Sequence, residues 1–352
     1  MSEQNGVLPS NNTAATDTPA SRPTIYDVAD QAGVAISTVS RVLNNSNNVA
    51  SSTREKVLAV IEELQFRPSR TAKSLAQQST RTIAIAVPTF TTPFHNELLK
   101  GVRSRLKNVD IELLLCDLRW AEPEATLRNF LSRGAMDGLL VAGFTLNDTM
   151  GRELKQLGAP VVLIGSQWDE LDSFHWDETA GVHKAIEHLA EQGHERIGMV
   201  TTHREGPVSQ MRIRGYEEAM QQASLPVRDE WIATGHTEKH AGFSEESGYE
   251  AMQNLLETDP GVTAVFASSD VQAIGAWQAI RHAGLDVPDD IALVGYDDIK
   301  VSRFIGLSSV AQNMHDIGEE ATDLLLQRLN GDDTPAAFSK LITPELIVRA
   351  SS

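Results

Sequence analysis

One stretch decides the fold of the N-terminal region: residues 24–43, TIYDVADQAGVAISTVSRVL. Thr24 can cap a first helix while Asp27, three residues later, reaches back to the free amide, which is the pattern of a capping box. Gly33 ends that helix, because glycine turns there without a Cβ penalty. A second helix is predicted over Ile36–Asn44. Two helices joined by so short a turn meet at a steep angle, so the second can enter a major groove of DNA.

The segments on either side complete this unit. A third helix is predicted over Ser52–Gln65, opened by a second capping box from Ser52 to Glu55. Its apolar residues recur at helical spacing and predict a small three-helix core that Phe66 completes. Residues 1–21 are rich in Ser, Thr, Asn, Ala and Pro and predict a disordered tail. The helix-turn-helix domain is therefore expected over residues 22–66.

The stretch resembles the headpiece of the LacI/GalR family of bacterial transcription regulators. The family pattern is T-hydrophobic-x-D-V-A-x-x-A-G-V-S-x-x-T-V-S-R-V-L-N. The matching residues are Thr24, Asp27, Val28, Ala29, Ala32, Gly33, Val34, Thr38, Val39, Ser40, Arg41, Val42, Leu43 and Asn44. One departure is Ala35, where the family usually has Ser or Thr as a helix cap and phosphate contact.

The second helix is expected to read DNA. Ser37 and Arg41 are the best candidates for contacts to bases, Arg41 being suited to guanine O6 and N7, although it could contact a phosphate only. Ile36 is a candidate for a thymine methyl group. The residues better placed for phosphates, which fix register without reading sequence, are Tyr26, Thr38, Ser40 and Asn44.

Residues 67–79 are predicted to be a hinge between this domain and the rest of the chain. Pro68 prevents the third helix from continuing. The resemblance implies that the hinge folds on the operator and that Leu75, one from each subunit, opens the minor groove. The alternative is a flexible linker whose leucine packs on the body.

Charge is unevenly distributed along the chain, which has a net charge of −18. Residues 22–81 carry eight Lys and Arg against five Asp and Glu, whereas residues 82–352 carry 22 against 41. A weakly basic head on an acidic body is typical of a protein that touches DNA through its head alone.

Beyond Thr82 the pattern changes to apolar strands that alternate with helices. Continuous apolar strands of this kind indicate parallel sheets covered on both faces, and their number suggests two sheets. Strands are predicted at Ile83–Val87, Ile111–Cys116, Gly138–Ala142, Val161–Ile164, Ile197–Val200, Val262–Ala267 and Ile291–Gly295. Ligands should bind in the crevice at the carboxyl ends of the strands.

The family resemblance extends over this region, as in EHLAEQGHERIGMV (187–200) and ASSDVQAIGAWQAIRHAGLDVPDDIALVGYDDI (267–299). It implies an α/β body like the periplasmic binding proteins: two lobes over residues 80–349, linked by three crossovers, that bind an effector and form a homodimer. It also implies that the Tyr296–Asp298 segment is a lobe crossover and subunit contact, so its two carboxylates are interpreted as structural.

Five residues of the body are candidates for effector binding. Asp270 directly follows a strand, so its carboxylate should face the cleft, with helix capping as the alternative. The resemblance assigns Arg212 to the ligand, and an ion pair is its alternative. Phe94 and His95 stand where the family often has two aromatic residues, although His95 could be a solvated loop residue. Asp177 is a weaker candidate near the loop between the lobes.

Several classes of protein are excluded or disfavoured. No G-x-S-x-G, Walker or dinucleotide fingerprint appears, no His or Cys cluster has metal-ligand spacing, and no catalytic residue or cofactor is predicted. Cys116 is the single cysteine and is interpreted as a buried small hydrophobe. The chain lacks a signal peptide pattern and an apolar run of membrane-spanning length, which predicts a cytoplasmic protein.

The sequence therefore predicts a regulator, most simply a repressor, that binds a pseudo-palindromic operator as a homodimer and responds to a small effector. A sugar or sugar derivative is the default effector because the resemblance favours it, with nucleosides and other polar metabolites left open. The alternative is an intracellular solute-binding protein with no role on DNA, against which residues 22–78 argue.

Overall fold

The computed structural model describes residues 23–44, 46, 48–67, 80–120, 122–134, 136–259, 261–331 and 336–352. Contacts divide the chain into two compact units, one up to residue 78 and one from residue 79. The predicted tail, and the predicted hinge beyond Arg67 with its Leu75, lie outside the described residues.

The first unit contains three helices: α1 (Ile25–Ala32), α2 (Ile36–Leu43) and α3 (Ser51–Glu63). The capping box of α1 is confirmed, because the Thr24 hydroxyl accepts from the Asp27 amide at 3.4 Å and the Asp27 carboxylate accepts from the Thr24 amide at 2.7 Å. Gly33 ends α1 with a φ of 60°, the left-handed conformation that the sequence predicts. The tight turn to α2 follows from that conformation.

The core of this unit is small and apolar. It is formed by the inward faces of the three helices together with Phe66, and its buried residues are Val28, Ala29, Ala32, Val39, Val42, Val57, Val60 and Phe66. The predicted capping box of α3 is wrong. The helix begins at Ser51 with Ala50 as its cap, so Ser52 lies inside the first turn and makes no cap hydrogen bond.

The second unit begins with a lobe of parallel strands and covering helices. Its elements are β1 (Thr82–Val87), α4 (Pro93–Leu106), β2 (Glu112–Asp117), α5 (Pro123–Arg133), β3 (Gly138–Ala142), α6 (Asp148–Lys155), β4 (Val161–Ile164) and β5 (Asp172–Trp176). The chain then builds a second lobe from α7 (Glu178–Glu191), β6 (Ile197–Thr201), α8 (Pro207–Gln222), β7 (Ile232–Thr234), α9 (Glu245–Thr258), β8 (Ala264–Ala267), α10 (Asp270–His282), β9 (Ala292–Asp297), α11 (Lys300–Ile305) and β10 (Ser308–Ala311).

The last elements return to both lobes. They are α12 (Met314–Leu329), β11 (Ser339–Ile342) and β12 (Glu345–Ile347). The first sheet has the order β11-β5-β4-β3-β1-β2 with all pairs parallel, and the second has the order β12-β10-β9-β8-β6-β7 with only the β10–β12 pair antiparallel.

The chain crosses between the lobes at three places. The crossings follow Trp176, Ala311 and Ile342, because each of these residues ends a strand of one sheet and the next element packs in the other lobe. The interpretation of Tyr296–Asp298 as a crossover is corrected by this topology. β9 ends at Asp297 and is followed by α11 and β10 in the same lobe, so the chain does not change lobes there.

Helix α12 packs on α4 of the first lobe through glycines. A Cβ added at Gly101 would overlap the carbonyl oxygen of His315, and one added at Gly318 would overlap the carbonyl oxygen of Leu98. The two backbones approach too closely for a side chain at either point. This close packing fixes the helix that follows the second crossing.

We expect Gly101→Ala to destabilise the body by about 1–3 kcal/mol, because the added methyl group overpacks the α4–α12 contact. All five tryptophans lie between residues 120 and 277, so urea unfolding followed by tryptophan fluorescence reports on the body alone. The control is Gly134→Ala, since a Cβ at Gly134 meets nothing within 4 Å. Equal urea midpoints for Gly101→Ala and Gly134→Ala would contradict the close approach of α4 and α12 at Gly101.

Candidate functional site

Helix α2 presents a polar face opposite the core. Val39 and Val42 are buried on one side, whereas Ser37 and Arg41, one helical turn apart, are exposed on the other. Ile36, Tyr26 and Asn44 are exposed, and Thr38 and Ser40 are half-buried. The structure therefore leaves the two predicted base readers on the surface of one helix face.

A cleft between the two lobes of the body encloses a cavity of about 140 Å³. Its walls come from residues that follow the carboxyl ends of strands in both sheets, as expected for open parallel sheets. The first lobe contributes Thr92, Pro93, Phe94, His95, Trp120, Gly143, Phe144, Thr145, Gly165 and Trp176. The second lobe and the second crossing contribute Glu178, Val208, Arg212, Phe243, Ser269, Val271, Asp297, Ile299 and Gln312.

Aromatic rings line one side of the cleft. His95 lies edge-on to Phe94 with ring centroids 5.2 Å apart and edge-on to Trp120 at 6.5 Å. Trp120 in turn stacks on Phe243 of the other lobe, with centroids 6.5 Å apart and ring planes 29° apart. The rings thus form a continuous apolar wall that joins the lobes.

The backbone that presents Phe243 is strained. His240 and Ala241 have φ angles of 52° and 53°, which side-chain-bearing residues rarely adopt. Such conformations persist where the surrounding structure enforces them, and they are frequent at ligand-binding sites. Here the turn ends with Phe243 in the wall of the cleft.

The polar centre of the cleft is built around Arg212. Its Nε donates to Glu178 Oε2 at 2.8 Å, its Nη1 donates to the Ser268 carbonyl, and its guanidinium lies 3.8 Å from the centre of the Tyr296 ring. Burial alone would disfavour the charged form, but the Glu178 carboxylate raises the pKa of Arg212 above its ordinary value. Arg212 is therefore a fixed positive charge held against a carboxylate.

Gln312 connects this centre to the first lobe. Its side-chain Nε2 donates to Glu178 Oε1 at 3.2 Å, and its backbone carbonyl accepts from Trp176 Nε1 at 3.0 Å. Gln312 Oε1 has no hydrogen-bond partner among the described residues although it is buried. The amide oxygen of Gln312 is thus an uncommitted acceptor in the cleft wall.

Asp297 brings a second carboxyl group to the cleft. Its φ is 108°, again a conformation unusual for a residue with a side chain. Burial raises the pKa of Asp297 well above its ordinary value, although Arg212 acts in the opposite direction. The site thus holds a second carboxyl group, whose charged form burial disfavours and Arg212 favours.

His95 is an uncharged group in this setting. Burial and the nearby His240 lower the pKa of His95 to about 4. Its Nδ1 pairs with the Thr92 hydroxyl at 2.7 Å, whereas its Nε2 has no partner among the described side chains. The sequence alternative of a solvated loop histidine does not fit a ring that is 5% exposed.

The structure corrects the position predicted for Asp270. Its carboxylate is fully buried inside the second lobe, where it accepts from Ser309 and Ser302 at 2.6 Å each and from the Ile299 amide at 2.8 Å. The α10 helix begins with Asp270 turned toward α11 and β10, so its neighbours Ser269 and Val271 line the cleft instead. Burial raises the pKa of Asp270 to about 7, against the effect of these hydrogen bonds.

Asp177 also lies outside the cleft wall. Its side chain accepts from the Ala180 amide at 2.9 Å and caps helix α7. Its neighbours Trp176 and Glu178 line the cavity. Neither Asp177 nor Asp270 is carried into the proposed effector site.

Sequence reasoning missed most of the cleft wall, including four side chains on which the site depends: Trp120, Glu178, Phe243 and Gln312. Trp120 follows strand β2, so the rule that side chains after a strand face the crevice predicts a cleft position for it, as it does for Asp270. The sequence also contains Asp297, but the resemblance favours a structural role for its carboxylate. Phe243 and Gln312 follow no strand that the apolar pattern predicts, so no local pattern points to them.

Other features of the body point to no further chemistry. No group of three or more His, Cys, Asp or Glu side chains among the described residues could hold a metal ion. Burial raises the pKa of the Cys116 thiol to about 11, as expected for an inert buried cysteine. Within the described part of the chain, no helix is long and apolar enough to cross a membrane.

A helix-turn-helix domain joined to a two-lobed α/β body with an inter-lobe cleft defines the class of ligand-responsive DNA-binding regulators. Residues 24–69 match the bacterial regulatory proteins of the lacI family, and residues 186–352 match a periplasmic binding protein-like domain. The chain belongs to the LacI family and is a DNA-binding transcription regulator, not an enzyme.

Individual relatives agree with this assignment. The chain is 34% identical to the HTH-type transcriptional repressor PurR of Haemophilus influenzae (strain PittEE), over 93% of this chain and 98% of the relative. A complex of the transcriptional regulator CelR with cellobiose is similar over 94% of this chain and 100% of that chain, with a TM-score of 0.68 and 31% identity. A lac repressor dimer bound to operator and the anti-inducer ONPF is similar over 94% of this chain and 98% of that chain, with a TM-score of 0.79 and 26% identity.

We expect Asp270→Ala to lower the free energy of unfolding of the body by about 3 kcal/mol or more, because a buried amide and two hydroxyls lose their acceptor. Asp177→Ala, which removes only a helix cap, should cost about 1 kcal/mol. Urea unfolding followed by tryptophan fluorescence measures both. If Asp270→Ala unfolded at the wild-type midpoint, the buried hydrogen-bond cluster would not stabilise the second lobe.

Proposed function

We propose that this regulator binds a neutral sugar or sugar derivative in the inter-lobe cleft, and that this effector controls its affinity for a pseudo-palindromic operator. It acts in the cytoplasm as a homodimeric repressor. The DNA contacts proposed are those of the sequence analysis: Ser37, Arg41 and Ile36 at bases, and Tyr26, Thr38, Ser40 and Asn44 at phosphates. The proposed effector contacts are Phe94, His95 and Arg212, with Trp120, Asp297 and Gln312 added.

The observation that carries the effector proposal is the combination of an aromatic wall with a charge-balanced polar centre. Sugar rings present apolar C–H faces that pack on aromatic rings, and hydroxyl groups that pair with carboxyl, amide and guanidinium groups. Among the described residues that line the cleft, Arg212 is the one with a fixed positive charge, and Glu178 neutralises it. The cellobiose bound by the similar regulator CelR supports the same ligand class.

A nucleoside is the second candidate, because the stacked rings of Trp120 and Phe243 would also suit a flat base. Calorimetric titration with cellobiose, ribose and adenosine, each followed by fluorescence anisotropy on operator DNA, separates the two classes. Saturable binding of a sugar that shifts operator affinity supports the proposal. Binding of adenosine alone would replace it.

We expect Arg41→Ala to weaken sequence-specific DNA binding, with a loss of about 1–3 kcal/mol of discrimination at one base pair of each half-site. The operator is first selected from a random duplex pool, and anisotropy then measures affinity for selected and scrambled duplexes. Lys56→Ala removes the same charge from α3 and is the matched control. An undiminished preference for the selected duplex in Arg41→Ala would contradict the assignment of Arg41 as a base reader.

Helix α11 supports the homodimer. Val301, Phe304 and Ile305 lie on one face of this helix and are 47%, 79% and 40% exposed. Large apolar side chains that cluster on a surface mark interaction sites. The lac repressor structure that this chain resembles is a dimer, which agrees with pairing of two copies.

We expect Phe304→Glu to shift the body from dimer to monomer at micromolar concentration, because a charge would have to be buried in the contact. Sedimentation velocity measures the change. Leu341→Glu introduces the same charge at an exposed apolar residue of β11 and should leave the dimer intact. A stable dimer for Phe304→Glu, or a monomer for Leu341→Glu, would place the subunit contact elsewhere.

A further inference from the structure

Among the described residues that line the cleft, Arg212 is the one with a fixed positive charge, so the groups that pair with it influence which ligands can bind. Arginine pairs readily with phosphate and carboxylate groups through its planar donors. An arginine in a binding cleft would therefore favour anionic ligands unless another group uses its charge and its donors. The structure contains such a group.

Glu178 already uses one of the Arg212 donors with which an anionic ligand could pair. Its Oε2 accepts from Arg212 Nε at 2.8 Å, and the two side chains are only 10% and 5% exposed. Glu178 itself lines the cavity. In a site this poorly solvated, the repulsion between the Glu178 carboxylate and a second anion is screened little by water.

The Glu178 carboxylate is held in place by the second lobe and by the second crossing. It lies at the start of α7, directly after the first crossing, and its Oε1 accepts from Gln312 Nε2 at the second crossing. Arg212 cannot turn freely toward a ligand either, since it also donates to the Ser268 carbonyl and stacks on Tyr296. The pair is thus pre-formed and does not depend on ligand.

We propose that Glu178 is a specificity-determining residue: by neutralising Arg212 it makes the cleft reject anionic ligands and accept uncharged ones. This inference rests on the proposed function, in which the cleft is the effector site. It assigns the choice between a sugar and a phosphorylated or acidic sugar to one carboxylate.

The chain offers a substitution that changes the charge and little else. Glu178→Gln keeps the shape of the side chain, and its Oε1 can still accept from Arg212 Nε. The amide nitrogen of the introduced glutamine would face Gln312 Nε2, and both are donors. Gln312 Oε1 has no partner among the described residues, so the Gln312 amide can rotate by half a turn. Gln312 Oε1 then accepts from the new amide, and a donor–acceptor pair is restored. The hydrogen bonds survive while the negative charge is lost.

The experiment uses inorganic phosphate as the probe, so it does not depend on knowing the effector. Thermal unfolding of the full chain is followed by tryptophan fluorescence as phosphate is added, with sodium chloride matching the ionic strength. A ligand that binds the folded state raises the unfolding temperature in a saturable way. We expect Glu178→Gln to bind phosphate at least about tenfold more tightly than the wild type, since one buried negative charge is removed.

Asp177→Asn is the matched control. It removes one negative charge from the adjacent residue, outside the cleft wall, and asparagine keeps the helix cap. It should behave like the wild type toward phosphate. A double variant, Glu178→Gln with Arg212→Gln, should lose the phosphate response and so locate it at Arg212.

Two outcomes would overturn the inference. One is a saturable phosphate response in the wild type equal to that of Glu178→Gln, and the other is no response in Glu178→Gln. If Glu178→Gln does not unfold cooperatively, Glu178→Asn is measured in its place. A phosphate titration of the wild type that saturates would then overturn the inference by itself. Titration of the wild type with cellobiose and ribose is independent: its failure counts against the proposed effector class, whereas the phosphate result decides the role of Glu178.

Discussion

The body depends on one topological constraint: the chain passes between its two sheets three times. Because both sheets are built from parallel strands, their carboxyl ends can face each other only if the crossings hold the lobes in that orientation. Two of the crossings place Glu178 and Gln312 side by side: Gln312 donates to Glu178, and Glu178 in turn accepts from Arg212. Side chains at the crossings therefore both link the lobes and form the polar centre of the cleft.

Burial explains why that centre is a network and not a single charge. An isolated guanidinium as poorly exposed as Arg212 would be strongly destabilising, so it requires a carboxylate and further acceptors. The second lobe solves the same problem differently at Asp270, where an amide and two serine hydroxyls satisfy the carboxylate without a cation. The two buried carboxylates therefore have different roles. Asp270 stabilises the second lobe, whereas Glu178 faces the cleft.

The sequence predicts the fold better than it predicts the site, for physical reasons. Apolar periodicity located strands such as Gly138–Ala142 and Val161–Ile164 at their observed bounds, because a strand buried on both faces must be apolar throughout. It missed β10, SSVA, whose residues are small or polar, and it missed β5, β7, β11 and β12, which are short or carry polar or exposed residues. At the cleft, the rule that side chains after a strand face the crevice applies to Asp297 and Trp120. It does not apply to Asp270, because local hydrogen bonds within the lobe decide where that carboxylate points.

The arrangement of the cleft also limits how an effector can act. A ligand can shift a conformational equilibrium only as far as it binds the two states with different affinity. In this cleft His95 and Trp120 belong to one lobe, Arg212 and Asp297 to the other, and Gln312 to a crossing. A ligand that contacts only one lobe gains the same energy whether the lobes are open or closed, whereas one that spans both gains its full energy only when they are closed. An effector that closes the lobes must therefore reach both of them, with an apolar face for the aromatic wall and polar groups for the arginine centre.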